Sequence, residues 1–374
     1  MNDKIIVAIL SLSCCFSCNQ SLRQEIITEN EVESLTLIKR KGTAFEKGFQ
    51  YGDQAKEDIK GQLAVWEALI QQELDLSQDS LYWEIAKNTG FVQAIHHYAP
   101  DLLKELEGMA QGAEVPLNHL LCLNMAEEII IYFSQGYKKC TTIGAKTQTQ
   151  HLIAYNLDLP DFLRKFKPVV LQDEQQFIYG FPGIIATGGM NRNFVVTTNS
   201  LSELNMDING LPLPFMVRKM LQCASEQEAI KLLKSTPFGA PQNLMIVGRQ
   251  GIWDFECSAN AVLPYAPMDS VIYHTNFPLV SRDMREKSES NASSCERFTY
   301  LDSLFKGNGT KANRNANALE EAIGNRSSKI RYEENYFSFL GKYPIDRTAS
   351  AYLEVLVPKT TNHPVLLSFS TQNQ

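Results

Sequence analysis

A cysteine followed by two threonines, Cys140-Thr141-Thr142, stands where a predicted helical region gives way to a predicted strand. A lone cysteine in such a place is either a nucleophile or a small buried hydrophobe, and the second is the commoner case. The next predicted strand ends in Asp158, and residues 144–150 between them predict a hairpin turn. A hairpin brings Asp158 back towards Cys140, so the two side chains form a candidate thiol–carboxylate site.

The number and spacing of the histidines argue against a catalytic triad or a metal site around that thiol. The chain has 6 histidines, and their spacing does not suggest a catalytic triad. His96 and His97 are adjacent, so they do not share a helical face, and the sequence has no CxxC pair. It also has no glycine-rich phosphate loop. We therefore predict no metal and no other cofactor.

The hydrophobic spacing predicts which elements position the site. Apolar residues recur at helical spacing over residues 46–72 and again over 81–109, so the first third is predicted to be mainly helical. After Cys140 the pattern changes to short β runs separated by turns, which favours an α+β fold with antiparallel sheets rather than a βαβ series. The predicted strands are 152–157, 168–171, 176–179, 194–199, 244–248 and 252–256, and a helix is predicted over 214–234.

Further motifs follow Cys140 in order, and one glycine-rich motif precedes it. The motifs are Gly48-Phe49-Gln50-Tyr51-Gly52, Cys140-Thr141-Thr142, Asn156-Leu157-Asp158, Gly189-Met190-Asn191, Val195 to Ser200, Asn243, Tyr273-His274-Thr275-Asn276 and Ser293 to Phe298. Together they resemble those of the N-terminal nucleophile hydrolases, in particular the acyl-coenzyme A:6-aminopenicillanic acid acyltransferase branch, peptidase family C45. Bile salt hydrolases and penicillin V acylases are more distantly similar. The resemblance covers nearly all of the chain after the leader.

The resemblance implies a four-layer αββα sandwich and a precursor that cleaves itself between Lys139 and Cys140. Residues 18–139 would then form the first chain and residues 140–374 the core chain. The new α-amine of Cys140 serves as the base, because its pKa near 8 lies within about one unit of a thiol pKa near 8.5. Lys139 stands where the acyltransferase prototype has glycine, and Tyr155 stands where bile-acid hydrolases place an arginine.

The resemblance also implies roles for four more residues. Asp158 would hold the new α-amine, and the Asn243 side-chain amide would stabilise the oxyanion. Arg297 would favour the thiolate electrostatically, and Asn199 would support the oxyanion or the substrate. The residue types alone leave other roles open: a turn-forming aspartate, an asparagine that begins a strand, and a structural arginine ion pair.

The expected activity is that of a self-processing cysteine amidohydrolase that acts on small-molecule N-acyl amides through an acyl-thioester on Cys140, with acyl transfer as a variant. One alternative is a non-catalytic surface lipoprotein that uses the same fold as a binding module. Another is an uncleaved cysteine hydrolase with His274 as its base. The acyl group itself is open: Trp66, Tyr132, Phe133 and Phe162 could line an acyl pocket, although aromatic residues more often belong to the core.

The ends and the charge of the chain bear on location and partners. Residues 1–17 are typical of a bacterial lipoprotein signal, with Cys18 as the predicted lipidated residue and Cys14 or Cys15 as alternatives; a plain secretory peptide is the other option. We therefore predict an exported protein that contacts a membrane through lipid only. The 374 residues carry a formal charge of −7 and no long basic run, so we predict no nucleic-acid partner. The sequence leaves the oligomeric state open.

Overall fold

A computed structural model describes residues 35–133, 140–159, 163–267, 271–286, 292–306, 335–344, 352–356 and 365–368. The predicted leader at residues 1–17, Cys18, Phe162 and the junction residue Lys139 lie outside these ranges. The predictions made for them therefore stay predictions.

The described residues before Cys140 are mainly helical, as the apolar spacing predicts. Each of the two predicted long helices is divided: the first at Ala55, and the second where Gly90 and Pro100 begin new helices. Thr43 starts the first helix through a capping box with Glu46. The helices are α1 (Ala44–Gln54), α2 (Lys56–Leu74), α3 (Gln78–Asn88), α4 (Phe91–Tyr98), α5 (Pro100–Ala113), α6 (Leu117–Asn124) and α7 (Ala126–Phe133).

Two sheets form the rest of the fold. The larger has the strand order β1-β4-β5-β6-β7-β8-β9-β10, and the smaller has the order β11-β2-β3-β12-β13-β14. Among the described pairings between named strands only β1–β4 is parallel, and β1 comes from the segment before Cys140. The strands are β1 (Thr36–Lys39), β2 (Cys140–Lys146), β3 (Gln150–Asp158), β4 (Val169–Gln172), β5 (Gln176–Gly180), β6 (Gly188–Asn191), β7 (Phe194–Ser200), β8 (Gln242–Gly248), β9 (Ile252–Cys257), β10 (Val262–Pro264), β11 (Val271–His274), β12 (Asn335–Pro344), β13 (Tyr352–Leu356) and β14 (Val365–Ser368).

The two sheets face each other between helices, so the predicted four-layer α+β sandwich is confirmed. Strand β2 of the smaller sheet contacts β7, β8 and β9 of the larger sheet. Helices α8 (Leu213–Leu221) and α9 (Glu226–Ser235) pack on the larger sheet, and α10 (Ala292–Lys306) packs on β11 of the smaller one. The helix predicted over 214–234 is divided because Ser225 caps a new helix, its side chain accepting from the Glu228 backbone N–H.

Side-chain alternation along β2 assigns its residues to the two faces of the smaller sheet. Ile143 and Ala145 join an outer apolar cluster with Leu301 of α10. Thr142 points the other way, and its hydroxyl donates to Asn199 on the facing sheet. Cys140 shares the parity of Thr142, so its side chain faces the inside of the sandwich.

None of the described helices is long and apolar enough to cross a bilayer. The five cysteines that follow the leader, Cys122, Cys140, Cys223, Cys257 and Cys295, are all free thiols.

Candidate active site

Cys140 is the first residue of β2 and lies at one end of the sandwich. It pairs with Leu157 on β3, so Asp158 follows directly beside it, as the predicted hairpin requires. The turn itself is shorter than predicted, because the strands continue to Lys146 and restart at Gln150. The side chain of Cys140 is 9% exposed and that of Asp158 is 4% exposed. The hairpin thus places a thiol and a carboxylate together at a strand end.

On its other side, β2 pairs with β11, and this pairing brings a second motif to Cys140. His274 lies opposite Thr142, so Asn276, two residues further on, reaches the level of Cys140. The Cys140 backbone nitrogen donates to Asn276 Oδ1 at 2.6 Å. The Asn276 amide nitrogen donates to the Ser200 carbonyl oxygen at 3.1 Å, and the Asn276 backbone N–H donates to Ser294 Oγ at 2.5 Å. Asn276 therefore ties the Cys140 nitrogen to both sheets and to α10.

Arg297 reaches the same strand end from α10. Its guanidinium donates to the Cys140 carbonyl oxygen, to Thr141 Oγ1 at 2.7 Å and to Asn276 Oδ1 at 3.0 Å. The side chain is fully buried. Its bidentate geometry fixes the Cys140 backbone, and its charge acts to lower the pKa of the Cys140 thiol.

In the continuous chain the thiol is held in its protonated form. Burial raises the pKa of the Cys140 thiol to about 12, and the Asp158 charge adds to this effect. The Tyr155 hydroxyl and the Arg297 charge act in the opposite direction. Tyr155 is itself fully buried, and its hydroxyl donates to the Thr198 carbonyl oxygen at 2.8 Å. A thiol in this environment needs a proton acceptor before it can act as a nucleophile.

A cavity of about 100 Å³ opens beside Cys140. Its walls are mostly apolar and come from α6, α7, the β5–β6 connection and the start of α8, with Leu123, Ile130, Phe181 and Leu213 among them. Polar side chains of Glu127, Asp158, Ser200 and Gln242 also face it. Trp66, Tyr132 and Phe133 are not among the described residues that line this cavity: Trp66 is fully buried in the helical core, as its residue type favours, and Phe133 is 36% exposed. Phe162 lies outside the described residues, so its place in a pocket stays open.

Asn199 and Asn243 are brought together, but in a network behind the Cys140 strand. Asn199 accepts from the Thr142 hydroxyl at 3.1 Å and donates to Asn243 Oδ1 at 2.8 Å. The Asn243 amide nitrogen donates to an Asp254 carboxylate oxygen and to the Phe255 carbonyl oxygen. Burial raises the pKa of Asp254 to about 6. Both polar ends of the fully buried Asn243 are thus occupied, and its role at the oxyanion stays a prediction.

His274 is fixed in a buried ion pair. Its Nε2 lies 2.9 Å from a Glu256 carboxylate oxygen, and its Nδ1 lies 2.7 Å from the Thr275 carbonyl oxygen. Burial alone would lower the pKa of His274, but the Glu256 hydrogen bond and the charges of Asp254 and Glu256 raise it above its usual value. Both ring nitrogens therefore face acceptors, so His274 has a structural role and is not placed to deprotonate Cys140.

Two residues that the sequence argument did not single out as functional belong to this site. Asn276 stands in the motif Tyr273-His274-Thr275-Asn276, so its signal was present in the sequence. Glu127 belongs to a pair of acids inside the apolar helix α7, and charge inside an apolar helix is its only signal. No group of three metal-binding side chains occurs within the part of the chain that the structure covers.

The sandwich and the buried cysteine at the start of its inner strand define the class of N-terminal nucleophile hydrolases. Within that class the chain belongs to the acyl-coenzyme A:6-aminopenicillanic acid acyl-transferase family, which residues 146–335 match. The matched region covers about half of the chain and begins after Cys140. It includes Asp158, Asn199, Asn243 and Arg297.

The relatives that match include two whose identity to this chain is low. The chain is 24% identical over 231 residues to the beta-alanyl-dopamine/carcinine hydrolase of Drosophila melanogaster. The aligned region covers 56% of this chain and 59% of that protein. It is 25% identical over 247 residues to the 40 kDa form of the acyl-coenzyme A:6-aminopenicillanic-acid-acyltransferase of Emericella nidulans, covering 64% of this chain and 68% of that protein. The first match thus spans less than two thirds of the relative's length.

Proposed function

We propose that this protein is an enzyme that cleaves linear amides through an acyl-thioester on Cys140, after the chain has cut itself between Lys139 and Cys140. The observation that carries the proposal is the Cys140 thiol beside a cavity at a strand end, with its backbone nitrogen and carbonyl held by Asn276 and Arg297. One relative is named as a hydrolase and the other as an acyltransferase, which supports acyl chemistry in this chain too.

Self-cleavage supplies the base that the buried thiol lacks. The Cys140 sulfur attacks the Lys139 carbonyl carbon, the Lys139–Cys140 C–N bond breaks, and the freed nitrogen takes a proton. Water then hydrolyses the thioester, which leaves a carboxylate on Lys139, a thiol on Cys140 and a new α-amine. The amine has a pKa near 8, so it can accept the thiol proton at neutral pH.

The catalytic cycle uses the same two groups. The α-amine takes the thiol proton, and the thiolate attacks the substrate carbonyl carbon to give an oxyanion. The C–N bond breaks, and the protonated α-amine gives its proton to the leaving amine. Water attacks the thioester, returning a proton to the thiolate and releasing the carboxylic acid; an acceptor amine in place of water gives acyl transfer.

The remaining side chains have proposed positioning or electrostatic roles. Asp158 orients the α-amine, and Arg297 together with Asn276 fixes the first residue of β2. Asn243, supported by Asn199, is the proposed oxyanion donor, for which it must redirect one of the two N–H groups that it donates to Asp254 and Phe255. An Asn243→Ala variant that keeps its kcat would remove Asn243 from the mechanism.

Denaturing electrophoresis and intact-mass measurement of the purified chain test the proposal. We expect two fragments, the second beginning at Cys140, from the natural sequence and one uncut chain from Cys140→Ala. Incubation with a panel of N-acyl amides should add one acyl mass to the Cys140 fragment. Cys295→Ala, which removes an exposed thiol, is the matched control and should cleave and react normally.

Two results would overturn the proposal in different ways. Full turnover by an uncut chain would exclude the α-amine as the base. An uncut chain that shows neither turnover nor an acyl adduct would instead favour the alternative of a binding module on the same fold.

A further inference from the structure

Among the described residues that line the cavity, Glu127 is the one charged side chain other than Asp158, and the proposed mechanism does not use it. It lies on α7, its side chain lines the cavity, and it is partly accessible there. Its carboxylate accepts from the Gln242 side-chain nitrogen at 3.0 Å. No catalytic step described above requires an acid at this position, so the presence of Glu127 needs another explanation.

The charges around the cavity are of one sign. Its described lining contains the acids Glu127 and Asp158 and no lysine, arginine or histidine. The Arg297 guanidinium already donates hydrogen bonds to the Cys140 carbonyl, Thr141 and Asn276. Asp158 has the mature α-amine as its proposed partner. The hydrogen-bond partner shown for Glu127 is neutral, so the cavity has a negative group without a described cation to balance it.

Keeping a carboxylate in this place is unfavourable without a cation. Burial raises the pKa of Glu127, while the side chains of Ser200 and Gln242 act to lower it. An ammonium group brought by a ligand would restore the ionised form through a charge-assisted hydrogen bond. An apolar ligand would leave the carboxyl group desolvated and poorly paired.

The size of the cavity limits what it can hold. A volume of about 100 Å³ is small beside the roughly 300–1,000 Å³ of pockets that take drug-sized ligands. The acyl group is the part of an amide that stays bonded to the Cys140 sulfur during the proposed reaction, so it is the part that this cavity must receive. A chain of a few heavy atoms fits, with apolar walls for its methylene groups and an acid for its end.

We propose that Glu127 is a specificity residue that binds a protonated amine at the end of a short acyl chain, so the preferred substrates are amides of small amino acids with a terminal ammonium group. This inference rests on the proposed function, because it assumes that the acyl group enters the cavity from Cys140. It goes further by naming the chemical class of the acyl group and the residue that selects it.

A matched pair of substrates isolates the charge. The p-nitroanilides of β-alanine and of butyric acid have acyl chains of nearly equal shape that end in an ammonium and a methyl group. We expect the natural protein to favour the β-alanyl compound in kcat/KM by about 10- to 100-fold, the usual worth of a hydrogen bond to a charged group. Glu127→Gln, which can still accept from Gln242, should lower the ratio of the two kcat/KM values to about 1.

A control variant and a third substrate test whether any buried acid, or a charge on either side of the amide, would give the same result. Glu128→Gln changes the neighbouring buried acid, which does not line the cavity, and should keep the preference of the natural protein. Butyryl-ethylenediamine carries its ammonium on the amine side of the amide. A Glu127 dependence that followed this charge, or equal rates on the two anilides with no change in Glu127→Gln, would overturn the proposal.

A binding measurement separates this inference from the proposed function. β-Alanine and butyrate, the acids that the two substrates release, are not cleaved; the natural protein should bind β-alanine more tightly than butyrate, and Glu127→Gln should not. Glu127-dependent binding without any amide cleavage by the natural protein would contradict the proposed function but support ammonium binding by Glu127. Amide cleavage without a preference for the charged acyl group would contradict ammonium binding by Glu127 but support the proposed function.

Discussion

At the level of single residues, the environment of Cys140 holds its backbone more tightly than its sulfur. The backbone nitrogen and carbonyl of Cys140 bond to Asn276 and Arg297, which come from different elements and bond to each other at 3.0 Å. Under the proposed function Cys140 becomes a chain end that uses both its nitrogen and its sulfur, and such an end needs this anchoring because a free chain end would otherwise fray. The arginine therefore acts as a positioning group as well as a charge.

Asn276→Ala tests this anchoring. The variant loses the acceptor of the Cys140 nitrogen and the bond to Ser200, so the α-amine and the thiol lose their alignment. We expect kcat on an amide substrate to fall about 100-fold while KM changes little. Asn260→Ala removes a surface amide that bonds to Asp283 and should keep both values. A parallel change in KM and thermal stability with an unchanged kcat would show a purely structural role.

The sequence predicted the members of this site better than their contacts. The hairpin argument placed Asp158 beside Cys140, and the family motifs contained Asn276 and Arg297. The sequence could not show that Asn243 already uses both polar ends, because Asp254 meets it only through the pairing of β8 with β9. Nor could it show where Glu127 points, since a pair of adjacent acids on a helix gives no direction of its own.

At the level of elements, the paired glycines of α1 and α5 explain the early glycine motif. Gly48 and Gly52 lie on α1, and a methyl group on either would overlap the backbone of α5 at Glu105 and Met109. Gly108 on α5 meets the backbone of α1 at Phe45 in the same way. The two helices thus touch backbone to backbone, and a side chain cannot relieve the contact by rotating.

We expect Gly48→Ala to be strongly destabilising for this reason. Overpacking in a core usually costs about 1–3 kcal/mol, and a contact with backbone atoms belongs at or above the upper end of that range. Gly251→Ala is the matched control, because a methyl group there meets only the flexible end of Trp253 at 3.3 Å. Urea denaturation of both variants measures the difference; equal midpoints would show that α1 and α5 can separate without cost.

The strand predictions succeeded and the long-helix predictions did not, for a physical reason. Apolar residues continue with helical spacing across Ala55 and across the 222–225 link, so periodicity alone sees one helix. The breaks are set by local caps such as Ser225 and by where the next helix must pack. The predicted strands β3, β4, β5, β7, β8 and β9 carry apolar runs rich in β-branched or aromatic residues and bounded by turn residues, so their ends can be seen in the local sequence. Strand β6, Gly-Gly-Met-Asn, carries no such residue and was not predicted.

At the level of the whole molecule, a buried ion cluster joins three parts of the fold. Glu105 on α5 bonds to Arg40, which follows β1, at 2.5 Å, and to Arg218 on α8 at 2.7 Å. Burial acts to raise the pKa of Glu105, but the two arginine charges outweigh it and lower the pKa to about 2. The cluster links the segment before Cys140 to the core, and these would stay together after self-cleavage.

The acid stability of the protein should depend on this cluster. A folded pKa of about 2 against a normal value of 4.5 gives stability that is fully present above pH 4.5 and is lost as the pH falls towards 2, about 3 kcal/mol in all. Chemical denaturation between pH 5 and pH 2 measures it. Glu105→Gln removes the carboxylate that the buried Arg40 and Arg218 share, and Arg40 then keeps Asp173 at 3.9 Å; the variant should cost about 3–5 kcal/mol at pH 7. The unfolding free energy of Glu105→Gln should also vary less with pH between 5 and 2. If it varied with pH as much as that of the natural protein, the lowered pKa of Glu105 would be contradicted.

Glu128 should produce the opposite pH dependence. This acid on α7 is fully buried and accepts from the first backbone N–H of α8, at Leu213, at 2.8 Å. Burial raises its pKa to about 8, and the charge of Glu127 adds to the effect. The folded state therefore keeps a proton that the unfolded chain releases above pH 4.5, so the stability contributed by the protonated form is lost as the pH rises towards 8.

Glu128→Gln removes that titration while retaining an oxygen acceptor for Leu213. Between pH 5 and pH 8 the unfolding free energy of the variant should gain on that of the natural protein by up to about 1.4 kcal/mol per pH unit. Urea denaturation at both pH values gives this double difference, and Glu84→Gln, an exposed acid on α3, should give none. Because Glu105 and Glu128 shift in opposite directions, the natural protein should be most stable near pH 4.5–5, and a maximum above pH 7 would show that Glu128 is ionised in the fold.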